Sequence, residues 1–294
     1  MKIQLIRMVF ATLVSIELIA CGGGGTTPHM GSSPGPGTVQ LRFVNASPDA
    51  GYPDPLDASL GAPLNAAYVS LDGAQVTTMQ AGPAYVSSAG FNGVPLVASA
   101  AAYINAAAGA KSVLYTPAAP SPGAGGNVGP FTLPNLTAGH RYTVVLAGSY
   151  CLHSLQVYTF DDGTASGSGT VAVYNVAPDA PQPAYDFGFF NPSAGPQPGA
   201  PNAGSVALGK RAAVPAPSDP AGFGVWVVDQ SQAVVGSVLP SDVDPFDANN
   251  VVPYNALSTF SVFITDTAQR NFGGAILCAN EQFGAPNVVA GLSP

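Results

Sequence analysis

Three histidines, three cysteines and two Asp-rich loops are where chemistry would be sought first in this chain of 294 residues. His29 sits in a Gly/Pro-rich stretch, His140 opens a strand that runs to Gly148, and His153 lies beyond that strand's far end. At about 3.3 Å per residue, about 25 Å separates the last two, too far for one metal ion or a catalytic triad. Cys151-Leu152-His153 offers two zinc-type donors where a site needs more at suitable spacing. The histidines therefore read as surface or strand-end residues. The loop holding Asp49, Asp54 and Asp57, and the loop holding Asp242, Asp244 and Asp247, are rich enough in oxygen to suit calcium. Neither has the glycine and terminal glutamate of an EF-hand loop, and Asp with Pro is ordinary turn chemistry. Asp242, Asp244 and Asp247 are the better calcium candidates; solvated turns are the simpler reading, and no metal or cofactor is expected. Gly31-Ser32-Ser33-Pro34-Gly35 matches a nucleophile-elbow spacing, but that motif needs a strand before it and a helix after it. Neither is present. Trp226, the single tryptophan, has apolar neighbours and reads as a core residue, with a sugar-stacking platform as the alternative. Tyr52, Tyr85 and Tyr150 could line a binding face, but no spacing singles them out.

The elements that would position these side chains follow from composition. Apolar residues make up 47% of the chain and charged ones 8%, with 35 Gly and 29 Pro, so many short strands joined by many turns are expected. Of the 16 acids 14 are Asp, which favours turns where Glu favours helix interiors. The composition predicts an all-β fold. A formal charge of −8 and the lack of any Lys/Arg run exclude a nucleic-acid footprint.

Lys2 and Arg7 precede an apolar run from Met8 to Ile19, too short to span a bilayer comfortably. The run ends in Leu18-Ile19-Ala20-Cys21, which resembles the lipobox of bacterial lipoproteins, with Glu17 as a departure. The resemblance implies cleavage after residue 20, acylation of Cys21 and anchoring in a membrane, which several acyl chains make stable. Gly22 after the cysteine points, by the same resemblance, to the outer membrane. Residues 21–37, rich in Gly, Pro and Ser, read as a flexible tether.

Thr38–Asn45 alternates cleanly, with Val39, Leu41 and Phe43 on one face and Gln40 and Arg42 on the other, the signature of a half-buried strand. It ends in Asn45-Ala46-Ser47-Pro48-Asp49-Ala50. The phrase returns as Asn175-Val176-Ala177-Pro178-Asp179-Ala180 after Val171 and Val173, so each copy is expected to be the end of a first strand and its turn. Leu136-Thr137-Ala138-Gly139-His140-Arg141-Tyr142 resembles the corner entering strand F of immunoglobulin-like sandwiches, where a tyrosine locks the turn. Phe260 takes the tyrosine's place in the second copy. Each copy is expected to close with one more strand, 155–160 and 274–279. Asp161-Asp162-Gly163 and the small-residue run that follows read as the junction. Residues 96–108, rich in alanine, are read as extended with Gly109 as their end, and 116–129 as an exposed loop.

The first-strand phrase and the Leu136–Gly148 segment resemble the bacterial secreted domain known as domain-of-unknown-function family 4397. The resemblance implies two tandem immunoglobulin-like β-sandwich domains: a signal peptide at 1–20, the tether at 21–37, domains at 38–162 and 168–283, a linker at 163–167 and a tail at 284–294. It carries no catalytic residues. The expected role is non-enzymatic, in envelope structure, adhesion or protein contact. The alternative is a module binding a polysaccharide or small hydrophobic ligand. An enzyme is disfavoured because no general base lies near a nucleophile.

Once Cys21 is lipidated, Cys151 and Cys278 remain in an oxidising compartment. They are not equivalent in the repeat, so a bridge would join the two domains; two small buried thiols are the alternative. A bridge would close a span of 127 positions, for which chain entropy sets a ceiling of roughly 5 kcal/mol. Alkylation of the denatured, unreduced protein is expected to leave both thiols unmodified, and two modified cysteines would rule the bridge out.

Overall fold

Short runs of β-branched and aromatic residues, punctuated by Gly, Pro and Asp, become strands among the described residues. The computed structural model describes residues 35–47, 66–80, 103–117, 127–148, 154–164, 169–197, 202–218, 222–238, 259–266 and 287–293, and among them there is no helix. In the first half the strands are β1 (Thr38–Asn45), β2 (Ala66–Leu71), β3 (Ala74–Gln80), β4 (Ile104–Ala107), β5 (Gly109–Pro117), β6 (Val128–Leu136), β7 (Arg141–Ala147) and β8 (Gln156–Gly163). In the second they are β9 (Thr170–Val176), β10 (Ala184–Phe190), β11 (Gly204–Ala207), β12 (Arg211–Pro215), β13 (Gly224–Val228), β14 (Val234–Val238), β15 (Thr259–Thr265) and β16 (Asn287–Ser293).

The first eight form sheets of order β4-β1-β7-β8 and β3-β2-β5-β6, and the second eight form β12-β9-β15-β16 and β11-β10-β13-β14. Strand for strand, the second order is the first repeated. Even the exceptional pairings recur: β1 runs parallel to β7 and β9 parallel to β15, whereas the other ladders among the described residues are antiparallel. Register recurs too. Leu41 lies opposite Tyr142 and Asn45 opposite Leu146, while Val171 lies opposite Phe260 and Asn175 opposite Ile264.

Three apolar layers hold these sheets. Val39, Leu41 and Phe43 of β1 pack with Val69 of β2, Val113 and Tyr115 of β5, and Val144 of β7 between the two sheets of the first half. Val171, Val173, Phe187, Val225, Val227 and Phe260 do the same in the second. A third layer joins the halves: Val44, Ala46, Val145, Ala147 and Phe160 meet Ala172, Tyr174, Val176 and Phe263. The sheets containing β1 and β9 are therefore inner sheets, covered on both faces. That explains why β7, "RYTVVLA", is buried at every position and reads as a nearly continuous run rather than an alternating one. It also corrects the half-buried reading of β1, whose Gln40 and Arg42 face the other half of the protein and not water.

The repeated Asn phrase has a local cause. Asn45 Oδ1 accepts the Ser47 N–H at 3.1 Å, and Asn175 Oδ1 accepts the Ala177 N–H at 3.3 Å, each bending the chain out of its strand. Asn175 Nδ2 also donates to the Val206 carbonyl on β11 at 3.3 Å, tying the two sheets of its half together. The Ala180 N–H returns to the Ala177 carbonyl and the Asp179 N–H donates to Asp266 Oδ1, so this copy of the turn is structural. Pro48–Ala50 lie outside the described residues.

Other expectations divide. Residues 104–107 are extended, as read, and Gly109 follows with a φ of 105°, a left-handed conformation that glycine tolerates. Val128 and Gly129, expected in a loop, begin β6 instead. β6 is an edge strand, which is where its Pro130 and Pro134 cost no ladder bond. The strand pairing with β15 is Asn287–Ser293, inside the segment expected to be a tail, because its residues continue the ladder from Thr259 to Thr265. Residues 274–279 lie outside the described residues. Asp161 and Asp162, expected at the junction, belong to β8, where Asp161 lies opposite Tyr142 of β7 and Asp162 falls at a break in the register between Asp161 and Gly163.

The corner before β7 forms as anticipated. The Tyr142 hydroxyl accepts the Thr137 N–H at 2.9 Å, Gly139 takes a φ of 83°, and its N–H donates to the Thr38 carbonyl. Tyr142→Phe removes the acceptor of an otherwise unpaired turn N–H and is expected to cost about 1 kcal/mol in urea denaturation. An unchanged midpoint would show that the hydroxyl does not lock the corner.

Candidate functional site

Most of the side chains singled out in the sequence lie outside the described residues: Cys21, Cys151, Cys278, Asp242, Asp244, Asp247, His29 and His153. Those described fall in separate places. His140 precedes β7, and its Nδ1 lies 2.8 Å from Asp161 Oδ2 across the ladder, an ordinary strand-end pair. Trp226 is fully buried, as the core reading required, and that burial removes it as a sugar platform. It nonetheless occupies the face of β13 opposite Val225 and Val227. Its ring lies on Gly188, where an added Cβ would come within 2.2 Å of it, and its indole N–H donates to the Phe189 carbonyl at 3.3 Å. Among the described residues no group of three or more His, Cys, Asp or Glu could hold a metal ion.

The densest polar constellation is one the sequence reading passed over. It lies between the two inner sheets, at one end of the layer that joins the halves. Arg42 is 2% exposed, and a buried charge is stable only with partners. Its Nε donates to Thr143 Oγ1 at 2.6 Å on the neighbouring strand. Its Nη2 crosses to the second half, donating to the Tyr174 hydroxyl at 3.0 Å and to Ser261 Oγ at 2.9 Å. The counter-charge is Asp162, whose side chain is 7% exposed. Tyr174 donates to its Oδ1 at 2.7 Å, Tyr103 to its Oδ2 at 3.1 Å, and Thr143 closes a short bond to Oδ2. Arg211 Nε stands 3.2 Å from Oδ1.

Arginine and tyrosine also stack. The Arg42 and Arg141 guanidiniums lie 5.5 and 5.3 Å from the Tyr103 ring centre, and Arg42 and Arg211 lie 5.7 and 5.8 Å from that of Tyr174. Three of the five arginines in the chain meet here. The concentration is deliberate in a chain so poor in charge. It suits arginine in particular, whose planar group can donate along its edge while its face packs on a ring.

The electrostatics are mutually consistent. Burial acts against the Arg42 charge, but Tyr103, Tyr174 and Asp162 more than offset it and hold its pKa above the ordinary arginine value. Burial pushes the Tyr103 hydroxyl up to about 12, and burial followed by the Asp162 charge raises that of Tyr174. Both tyrosines therefore stay protonated and keep donating to Asp162. A carboxylate receiving three hydroxyl donors and a guanidinium is suited to holding chains together.

The signal that could have found this site was the pairing of Arg42 with Arg141 and Asp162 on strands otherwise apolar. Alternation alone assigns such residues to water. No protein-family model matches this chain, and no curated protein sequence matches it.

The raised tyrosines fix a sign for alkaline pH. An unfolded tyrosine ionises near pH 10, while the folded hydroxyls resist. This part of the stability is complete below about pH 10 and is lost as pH rises toward about 12. Melting temperature is expected to fall across that window, by at most about 1.4 kcal/mol of stability per pH unit for each such tyrosine. Tyr103→Phe should remove its share, and a melt that does not change over the window would contradict the assignment.

Proposed function

We propose that the chain is a lipid-anchored bacterial cell-envelope protein built from two immunoglobulin-like β-sandwich domains, with a non-enzymatic role in envelope structure, adhesion or protein contact. The observation that carries this reading is the eight-strand order occurring twice, in register, behind a leader that ends in Leu18-Ile19-Ala20-Cys21. The Tyr142 corner supports the immunoglobulin-like assignment. The constellation around Arg42 supports a mechanical role, because its groups bind one another across the two halves.

On this reading Cys21 receives the acyl chains, the polar residues 22–37 hold the folded body away from the outer membrane, and partners are proteins or glycans at the cell surface. Glycan or hydrophobic-ligand binding is the weaker alternative, since its one tryptophan is fully buried. Anchoring is tested in cells fed labelled palmitate. Label is expected to follow the protein into the membrane fraction, and Cys21→Ser to release the protein or leave it unprocessed. Wild-type protein that takes up no label would overturn the assignment.

A further inference from the structure

The geometry between the inner sheets points to a latch. We propose that the Arg42–Asp162 constellation fixes the orientation of the two eight-strand units, and that removing its polar contacts releases them as two folded bodies on one chain. Each unit has a core of its own: every residue of the first apolar layer comes from β1–β8 and their connections, and every residue of the second from β9–β15 and theirs. What joins them is the third layer, in which Ala46, Ala147 and Ala172 lie beside the larger Phe160, Tyr174 and Phe263. Apolar packing is non-directional, so the seam takes its alignment from directional bonds, and the latch supplies a connected set of them.

The latch is also selective. Register makes Arg42 the counterpart of Ala172, Val44 the counterpart of Tyr174, and Thr143 the counterpart of Ser261. The first unit thus supplies Arg42 and Asp162, and the second supplies hydroxyls that accept from one and donate to the other, together with Arg211, whose Nε lies 3.2 Å from Asp162 Oδ1. Two copies of the first unit's face would bring guanidinium to guanidinium, and two of the second would leave Tyr174 and Arg211 without the Asp162 carboxylate. The face therefore recognises its own chain's other half and rejects a self-pairing. This inference goes beyond anchoring and stands whether or not Cys21 is acylated.

The test uses the full mature chain with Arg42→Met, which keeps the bulk and removes the charge, and Tyr174→Phe, which removes one hydroxyl. Small-angle scattering is expected to show a larger radius of gyration for Arg42→Met and a smaller increase for Tyr174→Phe. Binding of a hydrophobic dye should rise as Val145, Phe160 and Phe263 become accessible, while the far-ultraviolet strand signal is kept. Unchanged dimensions and dye binding in both variants would overturn the latch. Loss of the strand signal in both variants would also overturn it, because the units would then share one folding core; if Arg42→Met alone unfolds, Tyr174→Phe decides by its dimensions.

Discussion

A guanidinium removed from water keeps its place in a folded protein only if its charge and its donors are satisfied nearby, and Arg42 sets that requirement for this structure. Its partners come from four strands in two halves of the chain: Thr143 on β7, Tyr174 on β9, Ser261 on β15 and, through their hydroxyls, Asp162 on β8. Such a network adds little net stability, since desolvation cancels much of the attraction, but breaking one member leaves an uncompensated buried charge at about 3–5 kcal/mol. Its effect is thus mainly on uniqueness of arrangement.

Around that point the sheets divide into two kinds. The inner sheets, built on β1 with β7 and β9 with β15, contain the two parallel pairs and are covered on both faces. The outer sheets carry the β2–β3 hairpin and the edge strand β6 with its Pro130 and Pro134. The division accounts for the placement of polar residues. Asp72 and Gly73, with φ of 50° and 85°, turn the β2–β3 hairpin at the exposed side, and Asp72 binds Lys111 at 2.9 Å near water. Asp162 sits on an inner sheet and is satisfied entirely by protein.

The same physics orders the side chains around Arg42. Asp162, Tyr103 and Tyr174 direct their hydrogen-bonding groups at one another. Aromatic surface follows the pattern: Trp226 rests on Gly188, and Tyr174 stacks on Phe263 with ring centres 4.8 Å apart.

The sequence by itself determined the all-β class, from Gly, Pro and Asp in place of Glu, and the duplication, from the Asn-x-x-Pro-Asp-Ala phrase. It also determined the Tyr142 corner and the apolar faces of β1, β7 and β9. These depend on spacing within a few residues, which a chain displays directly. Only the tertiary structure decided that β16 comes from 287–293 and that Trp226 packs outside the inter-sheet core. It alone decided that Arg42, Tyr174 and Ser261, 132 and 219 positions from one end of the contact to the other, form one site. Period-2 alternation distinguishes one face of a strand from the other. Whether the polar face meets water or a second sheet depends on what packs against it, and residues far along the chain supply that sheet.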